Sequence, residues 1–199
     1  MTMAEARTKA RKESLFGERF EVFAECLLTG VWIALASLGV VTYPAAFAAG
    51  ARHLRRRTAH EGGGRREFTA DFRAALRGGG WVVGLAGWAT ALAVWVDVQA
   101  ARSGLPGGPF AGAVGLCALI ALAVALLRAA AVWAPGASWR ALLAAAVRRT
   151  LRDPAGSFLI VAGLAVVALS ASFVAPLAVP VLGAVAAAAV AVEERYRHR

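Results

Sequence analysis

Long apolar stretches alternate with short charged segments along the chain, and this alternation predicts a membrane topology. Residues 81–97, 110–127 and 155–192 are runs of Ala, Val, Leu, Gly and Trp with almost no charge. A helix of roughly 20 such residues crosses a hydrocarbon core of about 30 Å. The predicted fold class is therefore all-α, a polytopic transmembrane helical bundle with about six membrane segments.

The first apolar stretch, residues 22–51, allows two interpretations. Thirty residues make about 45 Å of helix, which is too long for one upright crossing and short for two. Pro44 disfavours helical geometry in the preceding residue, so Tyr43 and Pro44 predict a kink that folds the stretch into a hairpin. We favour this hairpin because it leaves the basic segments on both sides of it in one compartment. A single tilted pass through residues 22–57 is the alternative.

The last apolar stretch must also fold back. Residues 155–192 would form about 57 Å of helix if they were continuous, nearly twice the thickness of the hydrocarbon core. Pro176 and Pro180 predict the position of the turn. The Gly- and Pro-rich segment 98–109 carries one basic residue, so we expect it to connect two spans on the outer side.

Two amphipathic stretches interrupt the apolar pattern. One covers residues 65–77 and the other follows Pro135, and in both the apolar positions recur at helical spacing with arginines around them. They predict two interfacial helices on the cytoplasmic side, where they could bind a partner protein or anionic lipid. The residues assigned to this docking surface are Phe68, Phe72, Arg73, Arg77, Trp139, Arg148 and Arg152.

The distribution of charge decides between two classes of partner. A net charge of +10 is compatible with nucleic-acid binding. The basic residues, however, concentrate in 7–19, 52–77, 140–152 and 195–199, each of which flanks an apolar span. The positive-inside rule therefore predicts cytoplasmic termini, with a tail at 1–20, a transmembrane domain at 21–194 and a short tail at 195–199. Nucleic acid is excluded as a partner, whereas anionic headgroups are expected contacts.

Few side chains suggest chemistry. Glu25 lies within the first span, and an intramembrane carboxylate can mark a proton or ion path; its closeness to the cytoplasmic side favours simple solvation instead. Arg128 is expected to reach headgroups from the inner end of its span. Cys26 and Cys117 lie in apolar runs and are expected to be small buried hydrophobes. We predict no catalytic, cofactor-binding or metal site.

The shortage of hydrogen-bonding side chains argues against one class of transporter. The chain has no Asn and one Gln. A polar solute needs several convergent donors and acceptors, because each unpaired group costs free energy when it leaves water. A self-sufficient carrier for polar solutes is therefore excluded. A transporter or channel for a small or apolar solute stays open as an alternative function.

The residues Ser37-Leu38-Gly39-Val40-Val41-Thr42, followed by Phe68, Asp71, Phe72 and Arg73, resemble the YesL family of bacterial membrane proteins, a domain of unknown function. The family pattern reads S-L-P-V-V-T-I-G before a phenylalanine-rich basic segment. This chain differs by Gly39 in place of the proline and by Tyr43-Pro44 in place of Ile-Gly. The resemblance implies a multi-pass protein of the bacterial inner membrane that serves as a non-enzymatic accessory or scaffold in carbohydrate uptake. A sugar-uptake transporter complex or a second copy of the chain would be its partner.

Overall fold

The computed structural model describes residues 23–102, 107–173 and 175–198. Three predicted parts lie outside these ranges: the tail at 1–20, residues 103–106 of the connection at 98–109, and the last residue of the tail at 195–199. Within them the regular structure is helical. The helices are α1 (Phe23–Ala36), α2 (Tyr43–Thr58), α3 (Arg65–Ala75), α4 (Trp81–Arg102), α5 (Gly108–Ala131), α6 (Trp139–Arg152), α7 (Pro154–Phe173) and α8 (Ala175–Arg197).

The all-α prediction is confirmed, and three helical runs are long and apolar enough to cross a membrane. They are Arg65–Arg102, which joins α3 to α4, Gly108–Ala131 and Pro154–Phe173. Their mean hydropathies are 1.6, 2.6 and 2.1. The three apolar runs read from the sequence fall on α4, α5 and α7, and the last one continues into α8.

The first two helices form the hairpin that the sequence favoured. Gly50 of α2 packs on Ile33 of α1, and His53, later in α2, meets Glu25, earlier in α1, so the two helices run antiparallel. The position of the turn differs from the prediction, because the chain leaves the helix after Ala36 and Tyr43 already begins α2. Pro44 occupies the first turn of α2, where a missing N–H costs no helical hydrogen bond. It starts the second arm rather than bending the first.

Two further antiparallel pairs complete the bundle. Gly108 and Gly115 of α5 pack on Ala101 and Val94 of α4, while Gly163 of α7 packs on Val185 of α8. The glycines thus serve contacts inside the bundle, since small residues let helices approach closely. The position predicted for the last turn, at Pro176 and Pro180, was wrong. Helix α7 ends at Phe173, and Pro180 lies inside α8.

A kink separates the amphipathic helix α3 from the apolar helix α4. The residues between them, Leu76–Gly80, form a π-helical turn, and Gly79 has φ +101°. Such a backbone conformation suits glycine because no Cβ is present to clash. The indole N–H of Trp139, at the start of α6, donates to the carbonyl oxygen of Ala75 at 3.2 Å. This contact fixes α6 against the end of α3.

The core lies where α2, α5 and α8 meet. Almost all of the first nine residues of α2 and all of the last eight of α5 are buried. Helix α8 buries one side, with Gly183, Val185, Ala186, Ala189, Val190, Val192 and Glu193. By contrast, α4 buries only Gly84 and Val94, and α7 only Gly156 and Ile160. Two apolar helices, α4 and α7, therefore lie at the periphery of the bundle.

Candidate interaction face at the charged end of the bundle

Several helices end in basic residues, and their contacts gather these ends at one pole of the bundle. The last turns of α2, α5, α6 and α8 carry Arg55, Arg56, Arg57, Arg128, Arg149, Arg152, Arg195 and Arg197. Arg55 donates to the carbonyl oxygens of Ala131 and Trp133, just beyond the end of α5. Cations favour helix C-termini because the exposed carbonyls there carry partial negative charge.

Five charged side chains at this pole form a charge cluster, in which the first three are buried and the last two reach the surface: Arg128, Asp153, Glu193, Arg149 and Arg195. Arg128 Nη2 lies 2.7 Å from Asp153 Oδ2, and Arg128 Nε lies 3.6 Å from Glu193 Oε1. Arg149 Nε is 3.1 Å from Glu193 Oε2, and Arg195 Nη2 is 3.5 Å from Asp153 Oδ1. The cluster ties α5, α6 and α8 to the start of α7.

The expectation that Arg128 reaches the headgroups was wrong. Its side chain is fully buried. An arginine among apolar helices can either extend to the interface or find carboxylates inside the protein. Here Asp153 and Glu193 supply two carboxylates within 4 Å. Their negative charge balances the positive charge of the guanidinium inside the protein.

Asp153 also caps the helix that follows it. Its Oδ1 accepts a hydrogen bond from the N–H of Gly156 at 3.2 Å, as an aspartate ahead of a first-turn proline does. Burial acts to raise the pKa of Asp153. The hydrogen bonds from Arg128 and Gly156, together with the charges of Arg128 and Arg195, outweigh burial and lower that pKa below its usual value. Asp153 is therefore held as the carboxylate.

A second set of ion pairs joins α2 to α3. Asp71 is buried, and its two carboxylate oxygens lie 3.1 Å from Arg52 Nη1 and 3.0 Å from Arg56 Nη1. Next to it, Phe68 packs on Trp32 of α1 with ring centroids 5.4 Å apart. The apolar face of α3 is thus covered by the α1–α2 hairpin.

Glu25, the carboxylate singled out from the sequence, has partners on α2. Glu25 Oε2 lies 3.2 Å from His53 Nε2, and Glu25 Oε1 pairs with Arg57. The His53 ring is buried and meets Trp32 edge-on at 5.1 Å between centroids. These contacts connect the arms of the hairpin near its charged end.

The structure divides the predicted docking residues into two groups. Arg73, Arg77, Arg148 and Arg152 are exposed, and Phe72 is partly exposed. Phe68 and Trp139 are instead buried in the protein's own core, at 6% and 3% exposure. These two aromatic side chains are not available to a partner in this conformation, which corrects that part of the predicted surface. The remaining surface is arginine-rich, and we call Arg73, Arg77, Arg148 and Arg152 the basic face.

Sequence reasoning missed most of the paired residues. No pairing partner was predicted for Asp153, Glu193, His53 or Arg149. Each pairs with a residue far away in the sequence, so no local motif marks it. A general signal for such pairs was available, because an ionisable residue inside an apolar run needs a partner of opposite charge. It does not identify the partner.

A cavity of about 270 Å³ lies deeper in the bundle, away from the charged end. Tyr43 and Ser37 contribute hydroxyl groups to its wall, and the other lining side chains are apolar. These are Ile33, Phe47, Ala123, Leu126, Leu127, Leu164, Leu182 and Val185. The cavity can hold an apolar group, since a cavity of about 150 Å³ lined by such residues already admits benzene.

Comparisons with known proteins give no relative to set beside this site. No family model, curated protein or solved structure matches the chain. The resemblance to the YesL family therefore rests on its two short motifs alone.

Proposed function

We propose that the protein is a multi-pass membrane protein that serves as a non-enzymatic accessory or scaffold subunit. One observation carries the membrane assignment: the apolar windows of its three candidate spans are only 6%, 22% and 11% buried within the protein. A protein surrounded by water does not leave apolar helices this bare, because contiguous exposed apolar surface is normally limited to a few hundred Å². A membrane accounts for these surfaces, because lipid or neighbouring membrane helices can cover them there.

The proposed topology has six membrane segments, α1, α2, α4, α5, α7 and α8. The charged end of the bundle faces the cytoplasm, because the positive-inside rule places arginine-rich connections there. Both tails then lie in the cytoplasm, and α3 and α6 lie near the inner interface. The resemblance to a bacterial family points to the bacterial inner membrane.

The basic face supports the accessory role. Its four arginines are exposed and have no ion pair within the described residues. The neighbouring arginines Arg52, Arg56 and Arg128 are held by internal carboxylates instead. An unpaired cationic surface at a membrane binds anionic headgroups or an acidic partner protein. The link to carbohydrate uptake, through a transporter complex, comes from the family resemblance.

Membrane insertion and orientation are tested first. After alkaline washing of the membranes, the protein should stay in the pellet. Reporter fusions at the Gly62 connection and at the carboxyl end should both report the cytoplasm. Recovery of native protein in a detergent-free supernatant contradicts insertion, and reporters on opposite sides contradict the topology.

The accessory role is tested by co-purification from native membranes. Replacing Arg73, Arg77, Arg148 and Arg152 together by glutamine should release the bound partner without affecting insertion. A control variant replaces Arg65 and Arg140, which are also exposed on the same helices but point about 80° away from Arg73 and Arg148. It should keep the partner. Equal partner recovery from both variants rejects docking through this face.

A second candidate function is transport of a small apolar solute, which the cavity favours. The cavity lies between the hairpin α1–α2 and helices α5, α7 and α8. Filling it by Leu126→Trp should abolish flux of such a solute into liposomes. Glu25→Gln tests whether the carboxylate takes part in coupling. Flux that is absent from the wild-type protein removes this candidate and leaves the accessory role unaffected.

A further inference from the structure

Helix α4 carries two different stripes of side chains. One consists of the small or β-branched residues Gly84, Gly87, Ala91, Val94, Val98 and Ala101. Members of this stripe meet α2 and α5: Gly84 abuts Val41 and Pro44, Gly87 abuts Tyr43, and Val94, Val98 and Ala101 meet the glycines of α5. Most of this stripe therefore packs inside the bundle.

The other stripe is made of large side chains and is unused. Trp81, Leu85, Trp88, Leu92 and Trp95 follow one another at intervals of four, three, four and three residues. We call them the Trp–Leu seam. Their exposures lie between 50% and 59%. The intervals are those of a heptad repeat, in which alternate spacings keep one seam facing a partner helix.

Lipid alone is a poor cover for this seam. Tryptophan is enriched at the two membrane interfaces, where its indole N–H reaches water. Trp88 lies about 10 Å along the helix from Trp81, inside the proposed span. Interfacial anchoring therefore accounts for Trp81 and Trp95, near the two ends of α4, but not for Trp88. At that depth the other surface that can cover a large ring is a neighbouring helix.

The size of the seam suits an interface between two helices. An aromatic side chain buries about 150–250 Å², so three half-exposed tryptophans provide on the order of 300 Å². With the two leucines, each copy would bury on the order of 500 Å², and a pair on the order of 1,000 Å². That total meets the threshold of a specific interface.

We propose that the Trp–Leu seam is the contact between two copies of this chain. Copies with the same membrane orientation are related by a two-fold axis along the membrane normal, so the two α4 helices run parallel. Leu85 and Leu92 then face their own counterparts, and the tryptophans fill the alternate layers. Association rests on interlocking side chains, since hydrocarbon supplies no hydrophobic force between helices.

This inference rests on the membrane insertion proposed above, and disulfide crosslinking in native membranes tests it. The reporter Leu92→Cys lies on the seam. Its control, Ala93→Cys, is exposed at nearly the same depth but points about 120° away from the centre of the seam. Both variants carry serine in place of Cys26 and Cys117. The oxidised dimer should form at least about tenfold faster at position 92 than at position 93.

Each alternative occupant gives a different result. Lipid alone predicts no crosslink at either position, and random collision predicts equal rates; either result overturns the proposal. A crosslinked product with the mass of an unlike protein overturns it as well. A soluble protein, by contrast, fails the insertion test itself, so the two failures are distinguishable.

Mass measurement in mild detergent provides a second readout that needs no crosslink. Wild-type protein should have the mass of two chains, and Trp88→Ala should shift it to one. Phe158→Ala, at an exposed position on α7, should leave two chains. A wild-type protein that is monomeric in native membranes and in detergent overturns the proposal.

Discussion

Arg128 Nη2 lies 2.7 Å from Asp153 Oδ2, and the two side chains are 0% and 3% exposed. The pair links the last turn of α5 to the residue that caps α7. Burying a guanidinium costs desolvation free energy, which only nearby carboxylates can offset here. The charged end of the bundle is consequently held by specific partners as well as by apolar packing.

Removing one partner of this pair should be costly. Arg128→Met leaves Asp153 and Glu193 facing each other without the central cation, and the expected loss is about 3–5 kcal/mol of unfolding free energy. Arg148→Met, at an exposed position on α6, should change stability by no more than about 0.5 kcal/mol. Reversible unfolding in detergent micelles measures both. Similar values for the two variants would show that the pair contributes little.

The lowered pKa of Asp153 predicts how stability depends on pH. A carboxyl group with a lower pKa in the folded state stabilises the protein above its unfolded pKa of about 3.9. That contribution is lost as the pH falls through the folded-state pKa. The stability gap between the wild type and Asp153→Asn should therefore be constant from pH 5 to 7, according to the linkage relation, and narrow below about pH 4. Melting temperatures across this range test it.

A stability gap that stays constant down to about pH 3 would contradict this prediction, because it would show that the pKa of Asp153 is not lowered by folding. Both proteins of the comparison should carry Glu193→Gln, because Glu193 shares Arg128 with Asp153 and the two carboxyl groups are therefore coupled.

The helices could be predicted from the sequence because their signals are local. Apolar runs of the right length marked α4, α5 and α7, and Pro44 marked the hairpin. The start of α7 has a local cause as well, since Asp153 caps the helix and Pro154 is its first residue. These patterns act within a few residues, so no knowledge of tertiary contacts is needed.

The pairing of charges could not be predicted in the same way. Arg128 and Asp153 are 25 residues apart, and an arginine at a helix end has the same sequence whether it faces headgroups or a carboxylate. Likewise, the apolar face of α3 predicts that Phe68 is covered. It does not predict whether lipid or Trp32 covers this side chain. Tertiary packing decides both outcomes.

Gly79 allows a sharp test of the kink between α3 and α4. Its φ of +101° is a conformation that side chains rarely adopt, so Gly79→Ala should destabilise the protein by roughly 1 kcal/mol or more. Gly78→Ala is the matched control, since a Cβ at Gly78 would meet open space and its φ is not positive. It should be neutral or slightly stabilising. Equal losses in thermal unfolding would argue against the kink.

The α1–α2 hairpin should end inside the bilayer. Tyr43 and the interfacial Arg55 are separated by about 18 Å of helix, well short of a hydrocarbon core of about 30 Å. The turn between the arms also exposes Leu38 at 77%, which suits hydrocarbon better than water. In a protein with serine at Cys26 and Cys117, Leu38→Cys should therefore resist a membrane-impermeant thiol reagent applied to intact cells. Arg102→Cys, at the outer end of α4, should react; comparable labelling at position 38 would mean that the hairpin reaches the outer surface.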